Sequence, residues 1–266
     1  MADLLTVARD GPIVTLTINR PESMNALGEA GDGAAFEAAC GAINADASIR
    51  CAILTGAGRA FSAGGNVKAM QERAGAFQGS PAVIRESYRG NIHRIVRSLY
   101  FLEVPLIAAV NGPAIGLGCD VACMADIRIA ADTAKFGVTF LKLGLIPGDG
   151  GAWLLPRTIG MSRASELLFT GEVVDALTAE RWGLVSRVVG AEALAAETHA
   201  LALKIAAQPP QALRLAKTLL RQGQTTTYDT LLELSAAGQA LMHHTRDHAE
   251  GVSALIEKRP AQFTGE

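Results

Sequence analysis

Residues Asn111-Gly-Pro-Ala-Ile-Gly-Leu-Gly-Cys-Asp120 constrain this chain more than any other stretch. They follow Pro105–Val110, an apolar run that reads as a buried strand, and they open what reads as a helix. A glycine-rich turn in that place lets backbone approach a ligand closely, and a helix start leaves N–H groups pointing outward. Such a turn can grip an oxyanion or a phosphate. Phe61-Ser-Ala-Gly-Gly-Asn66 is a second glycine cluster. Together they predict two backbone donors converging on one oxygen.

Of the 266 residues, 49% are hydrophobic, enough for a substantial core around such turns. A net charge of -2 and the absence of long single-sign runs argue against a nucleic-acid partner. Cys40, Cys51, Cys119 and Cys123 form no CxxC pair and read as small buried hydrophobes in a reducing compartment. Met1–Leu5 lacks the basic start of a signal peptide. The run Val104–Cys119 is interrupted by Pro105, Asn111, Gly112 and Pro113, which disfavours a membrane helix. Phe263–Glu266 carries no peroxisomal or reticulum address. The expectation is a soluble cytoplasmic protein with no membrane partner.

Leu5–Val7 and Ile13–Ile18 alternate like paired strands about Asp10-Gly11. Phe36, Ala39, Cys40 and Ile43 predict a helix to about Ala45, and Cys51–Thr55 a strand. Ile84, Tyr88, Ile92, Ile95 and Leu99 mark one face of a long helix. The 105–110 strand, a helix near 117–125 and a strand Ile127–Ala130 follow. Repeated strand, loop and helix units predict an α/β protein. After about residue 190 the strands stop. Three helical patterns, Glu192–Ala207, Pro210–Arg221 and Tyr228–His248, predict a helical C-terminal subdomain.

Several chemistries are open at the level of residues. Gly116-Leu-Gly118 lacks the third glycine of a dinucleotide turn, and Asp132 comes too soon for a ribose acid. Ala60-Phe-Ser62-Ala-Gly64 has the outline of a nucleophile elbow, but its strand ends early, at Thr55. His243, His244 and His248 lie on a charged helical stretch. His244 and His248 have metal spacing without further ligands nearby, so no metal is expected. Asp120 and Asp149 stand out as acids inside apolar, glycine-rich sequence. Burial there would raise a carboxylate pKa toward proton-transfer chemistry. The bland alternative is that each bonds turn amides or caps a helix, as expected of Asp126 and Asp132.

The motifs taken in order resemble the crotonase superfamily, the enoyl-CoA hydratase/isomerase family, over nearly the whole chain. The carriers are Arg20-Pro-x-x-x-Asn25-Ala-Leu27, Phe61–Asn66, Asn111–Gly118, Leu143–Gly148 with Gly150-Gly151, Thr170-Gly171, Trp182–Val185, and Glu257–Pro260 with Phe263. The resemblance implies a spiral of ββα units over residues 1–190 and a helical oligomerisation subdomain over 191–266. It implies homotrimers, usually paired into hexamers, and a role in fatty acid metabolism. It also implies an acyl-CoA thioester whose carbonyl sits between the N–H groups of Gly65 and Leu117. No cofactor is implied beyond the coenzyme A of the substrate. Met24, Ala26, Leu27, Ala63, Asn66, Val67, Gly116, Phe140, Lys258 and Phe263 fall at positions that contact substrate or CoA.

Typical hydratases of this family use two glutamates. The first falls at Asp120 and the second at Phe140, which cannot transfer a proton. Asp149 occupies a place where those hydratases have a small residue, so Asp120 and Asp149 are the acid/base candidates. The expected activity is of the enoyl-CoA hydratase/isomerase type. Double-bond isomerisation, carbon–carbon hydrolysis, a non-catalytic acyl-CoA-binding role and a serine hydrolase using Ser62 stay open. Met70–Val83 is expected to help form the acyl pocket.

Overall fold

The computed structural model describes residues 4–266; Met1–Asp3, part of the segment examined for a signal peptide, lie outside them. Among the described residues nine strands form two sheets: β1 (Leu5–Asp10), β2 (Ile13–Ile18), β3 (Cys51–Gly56), β4 (Leu106–Val110), β5 (Ala114–Ile115), β6 (Ile127–Ala131), β7 (Lys135–Gly137), β8 (Val173–Asp175) and β9 (Arg187–Val189). The larger sheet runs β1-β2-β3-β4-β6-β9 and the smaller β5-β7-β8. β1 and β2 are antiparallel, turning at Gly11 with φ 55°, and the remaining pairs of the large sheet are parallel.

Single bridges extend the small sheet across Leu27–Gly65 and Ser62–Ala114. β2, β3, β4 and β6 are thus each followed by a short extended segment in the second layer, at Leu27, Ser62–Gly65, Ala114–Ile115 and Lys135–Gly137. After the first three of these the chain turns into helix. The fold is a spiral of ββα turns with a helical tail.

Period-two alternation explains the unbroken apolar runs in the sequence. In β3 and β4, Ala52, Leu54, Leu106, Ala108 and Val110 face the main core, while Cys51, Ile53, Ile107 and Ala109 face the other way. The helix Leu194–Ala206 covers that second face through Leu194, Ala202 and Ala206. Packing therefore continues across residue 190, and the first tail helix completes the sheet's burial.

The next helix, Pro210–Gln222, is tied to the core by charge. Lys217 Nζ lies 2.7 Å from Asp126 Oδ2 and donates to the Val104 carbonyl at 2.8 Å. Arg221 donates to Asp126 Oδ1 and to the Met124 carbonyl. Asp126, expected as a plain turn residue, also accepts from the Leu106 N–H. The predicted third tail helix is two: Tyr228–Met242 and Arg246–Glu257, the second restarted where Thr245 accepts from the His248 N–H. Tyr228, Leu232, Leu234 and Leu241 of the first are exposed. No helix among the described residues is long and apolar enough to cross a membrane.

Candidate active site

Two buried asparagines bind the loops together. Asn25 is fully buried and has φ 58°; its Nδ2 donates to the carbonyls of Ala57 and Ala60, both at 2.8 Å, and its Oδ1 accepts from Arg20 N–H. Asn111 repeats the device one turn later, donating to Gly58 and Ala60 and accepting from Gly56 N–H. Arg20 makes a two-bond pair with buried Asp32, which also accepts from the Gly28 and Glu29 amides. The segment holding Met24, Ala26 and Leu27 is thereby fixed. Met24 carbonyl accepts from Ala63 N–H, and Leu27 N–H donates to Gly64.

The glycines are required by contact as well as by backbone angle. Gly64 has φ 86°, and a Cβ there would fall 2.4 Å from the Ile115 carbonyl and 3.2 Å from Leu117 N. A Cβ on Gly118 would lie 2.2 Å from the Ser62 carbonyl. The two glycine turns are therefore in direct contact. Among the described residues, no hydrogen bond uses the N–H of Gly65 or of Leu117, the first residue of the helix Leu117–Met124. Gly116, with φ 54° and ψ -122°, sets up that helix start and bonds Gly137 carbonyl through its own N–H. The Phe140 ring stands over it, within 3.8 Å of where a Gly116 Cβ would be.

Ser62 is not presented as a nucleophile. It is fully buried; its Oγ donates to the Asn25 carbonyl at 2.8 Å and accepts from Gly64 N–H at 3.2 Å, with no histidine in reach of a hydrogen bond. Asn66 caps the helix Val67–Gln71 by accepting from Ala69 N–H. His243 and His248 hydrogen-bond each other at 3.0 Å in an exposed position, while the break after Met242 puts His244 and His248 outside a common helix. No group of three or more potential metal-ligating side chains occurs among the described residues.

The two aspartates occupy unlike places. Asp120, in the first turn of the Leu117–Met124 helix, is 1% exposed and accepts from Gly151 N–H at 3.1 Å. It thus caps a different helix, Gly151–Ile159, which has Gly150 at its N-cap and no cap from its own neighbours. The contact demands glycine at 151, where a Cβ would lie 2.1 Å from Asp120 Oδ1. Asp149 does not cap that helix. It is 4% exposed and accepts no hydrogen bond from any described residue. Burial pushes its pKa up to about 6, against the pull of His93. Burial, then the charges of Asp149 and Cys123, push Asp120 well above the carboxylate range.

The enoyl-CoA hydratase/isomerase family model matches residues 8–266. The chain belongs to this family. A 1,2-epoxyphenylacetyl-CoA isomerase of Escherichia coli is 41% identical, over 95% of both chains. A crotonyl-CoA hydratase of Syntrophomonas wolfei is 36% identical, over 97% of both. The crystal structure of an enoyl-CoA hydratase from Bacillus anthracis superposes with a TM-score of 0.92 at 34% identity, covering 99% of this chain and all of the other. This enoyl-CoA hydratase/isomerase family member is an acyl-CoA enzyme with the crotonase fold.

Within one chain, Lys258 and Phe263 stay with the tail. Lys258 ends the last helix with φ 54°; the Phe263 ring packs at Gly251, and its carbonyl accepts from Arg50, just before β3. Sequence reasoning missed the groups facing Asp149. The sequence pattern places Tyr88 on a helix face and gives His93 no role. Burial and the charge of Asp149 raise the Tyr88 pKa, and His93 acts on Asp149. The one signal was Gly90, a helix-weakening residue between them.

Proposed function

We propose that this protein is an acyl-CoA isomerase that moves a double bond through a thioester enolate. The observation that carries it is the inequality of the carboxylates: Asp149 is buried without a hydrogen bond, while Asp120 is occupied by Gly151. The 41% identical relative, named a 1,2-epoxyphenylacetyl-CoA isomerase, supports isomerisation of an acyl-CoA as the reaction class, though its named substrate is an epoxide.

In this reading the substrate carbonyl oxygen sits between the N–H groups of Gly65 and Leu117. Asp149 removes a proton from the carbon alpha to the carbonyl. The C–H electron pair moves into the C1–C2 bond, and negative charge passes to the oxygen facing the two amides. A fixed donor of this kind stabilises such charge by roughly 3–4 kcal/mol. Asp149 then returns the proton at the far end of the dienolate, and the double bond has moved by one position. One group carries the proton both ways and water takes no part. Phe140 fits that scheme, because its ring supplies apolar wall where a hydratase of this family has its second acid.

The test is a panel of 2-enoyl- and 3-enoyl-CoA thioesters incubated in heavy water, with products weighed. Conversion of the 3-enoyl to the 2-enoyl isomer, with most of the transferred hydrogen retained rather than replaced by deuterium and with no gain of water, supports the proposal. Rapid gain of one water by the 2-enoyl thioesters, with no isomerisation, overturns it in favour of hydration. Assembly belongs to the same proposal. The helix Tyr228–Met242 exposes Tyr228, Leu232, Leu234 and Leu241, apolar side chains suited to packing between subunits, as trimers or hexamers. Sedimentation showing a stable monomer at micromolar concentration would reject that part.

A further inference from the structure

The helix Pro81–Tyr100 contains an irregular turn. Residues Tyr88–Ile92 form π-helix between regular α-helical halves. Side chains five apart diverge by about 140° on an α-helix but come near to register on a π turn, because each turn is wider. Tyr88 and His93 are five apart, and their rings meet edge to face at 6.2 Å. Both then point at one loop. A Cβ on Gly148 would stand 3.3 Å from Tyr88 Cε1, and His93 Nε2 lies 2.9 Å from the Gly148 carbonyl. A carbonyl only accepts, so Nε2 carries the proton.

That loop has little else to hold it. Leu145 N–H bonds Phe140 carbonyl before it, and Gly151 N–H bonds Asp120 after it. From Ile146 through Asp149, the His93 bond is the one hydrogen bond among the described residues. Ile146 is 76% exposed, so its side chain does not anchor the loop. Asp149, with no hydrogen bond of its own, takes its position from this main chain.

We infer that His93 is a positioning residue for Asp149, fixing the carboxylate through the Gly148 carbonyl, with the π turn serving to bring His93 and Tyr88 to that carbonyl. The inference rests on the reading of Asp149 as the base. Proton transfer depends on sub-ångström placement, and a misplacement of about 1 Å can cost roughly 10²-fold. Three titratable groups face Asp149: His93, Tyr88 and Asp120. His93 is the one that lowers its pKa.

The experiment compares His93→Leu, His93→Gln and Asp149→Asn as folded full-length enzymes on the best 3-enoyl-CoA substrate. His93→Leu removes the donor, and kcat should fall about 10- to 100-fold with KM within threefold. His93→Gln offers an amide N–H in its place and should restore kcat to within threefold of the parent. In both variants the acidic limb of the kcat profile should move to higher pH, since the pull of His93 on Asp149 is gone. If His93→Leu does not fold, His93→Asn takes its place; its shorter amide falls short of Gly148. Unchanged kcat in the non-donor variant, failure of folded His93→Gln to recover activity, or an unmoved acidic limb overturns the inference. Asp149→Asn separates the two ideas. If it is inactive while the His93 variants are normal, only the positioning role falls. If it is fully active, the base reading falls first.

Discussion

The donor half of the candidate site is made of backbone, and the proton half is made of side chains. The Gly65 and Leu117 amides owe their places to local chemistry: Asn25 and Asn111 tie neighbouring loops, and glycines stand where a Cβ would strike a carbonyl. The Asp120, Asp149, Tyr88 and His93 group comes from three segments that meet only in the folded spiral. Backbone chemistry needs particular residues at fixed spacing. Side-chain chemistry needs only that distant segments arrive together. The first half should therefore be intolerant of small substitutions for structural reasons, and the second for chemical ones.

The largest effect expected is on the chemical side. Asp149→Asn keeps size and polarity but removes the proposed base, so kcat should fall about 10²–10⁴-fold while CoA-thioester affinity stays within a few fold. A loss confined to affinity would erase the division between the halves. On the backbone side, Gly64→Ala places a methyl at φ 86° against Ile115 and beside Leu117 N. If it disturbs one donor, kcat should drop about 10²–10³-fold. A folded Gly64→Ala enzyme with parental kcat would show that the contact between the turns does not set the amides.

The same division explains what could be read from sequence. The glycine turns, the alternating strands and the order of motifs carry the spiral and its family. Residues 51–56 and 106–110 read as apolar runs because helix Leu194–Ala206 buries the face an open sheet would leave wet. The tail's break after Met242 was hidden because Thr245, a capping residue, sits inside a continuous helical pattern. The π turn was invisible because its residues keep an apolar rhythm and only Gly90 hints at irregularity. Asp120 capping a helix that begins 31 positions later has no local signature at all.

A smaller effect compares the two asparagines. Asn25→Ala removes a donor shared by a buried and a half-buried carbonyl, and should cost about 2–3 kcal/mol in urea unfolding. Asn111→Ala should cost less, because its Gly58 partner is more exposed and its Ala60 bond is longer, at 3.3 Å. Equal losses would mean that the loops respond as one unit.

The smallest effect lies in stability, and its sign opposes the loss of activity. The Asp149 carboxyl titrates near 6 in the fold, above its ordinary value of 3.8, because burial disfavours its charge. The folded form binds that proton more tightly than the unfolded chain does. Stability is therefore fullest below about pH 4, is lost as pH rises toward 6, and stays reduced above that. An asparagine never ionises, and Asp149 has no hydrogen bond to forfeit. Asp149→Asn should thus melt close to the parent at pH 4 and a few degrees higher at pH 8. A shift of about two pKa units sets a ceiling near 3 kcal/mol, and relaxation of a loop with one tie will lower it. A variant that melts below the parent at pH 8 would show that the Asp149 charge is stabilised by the fold. The carboxylate would then belong, like Asp120, to the frame of the site.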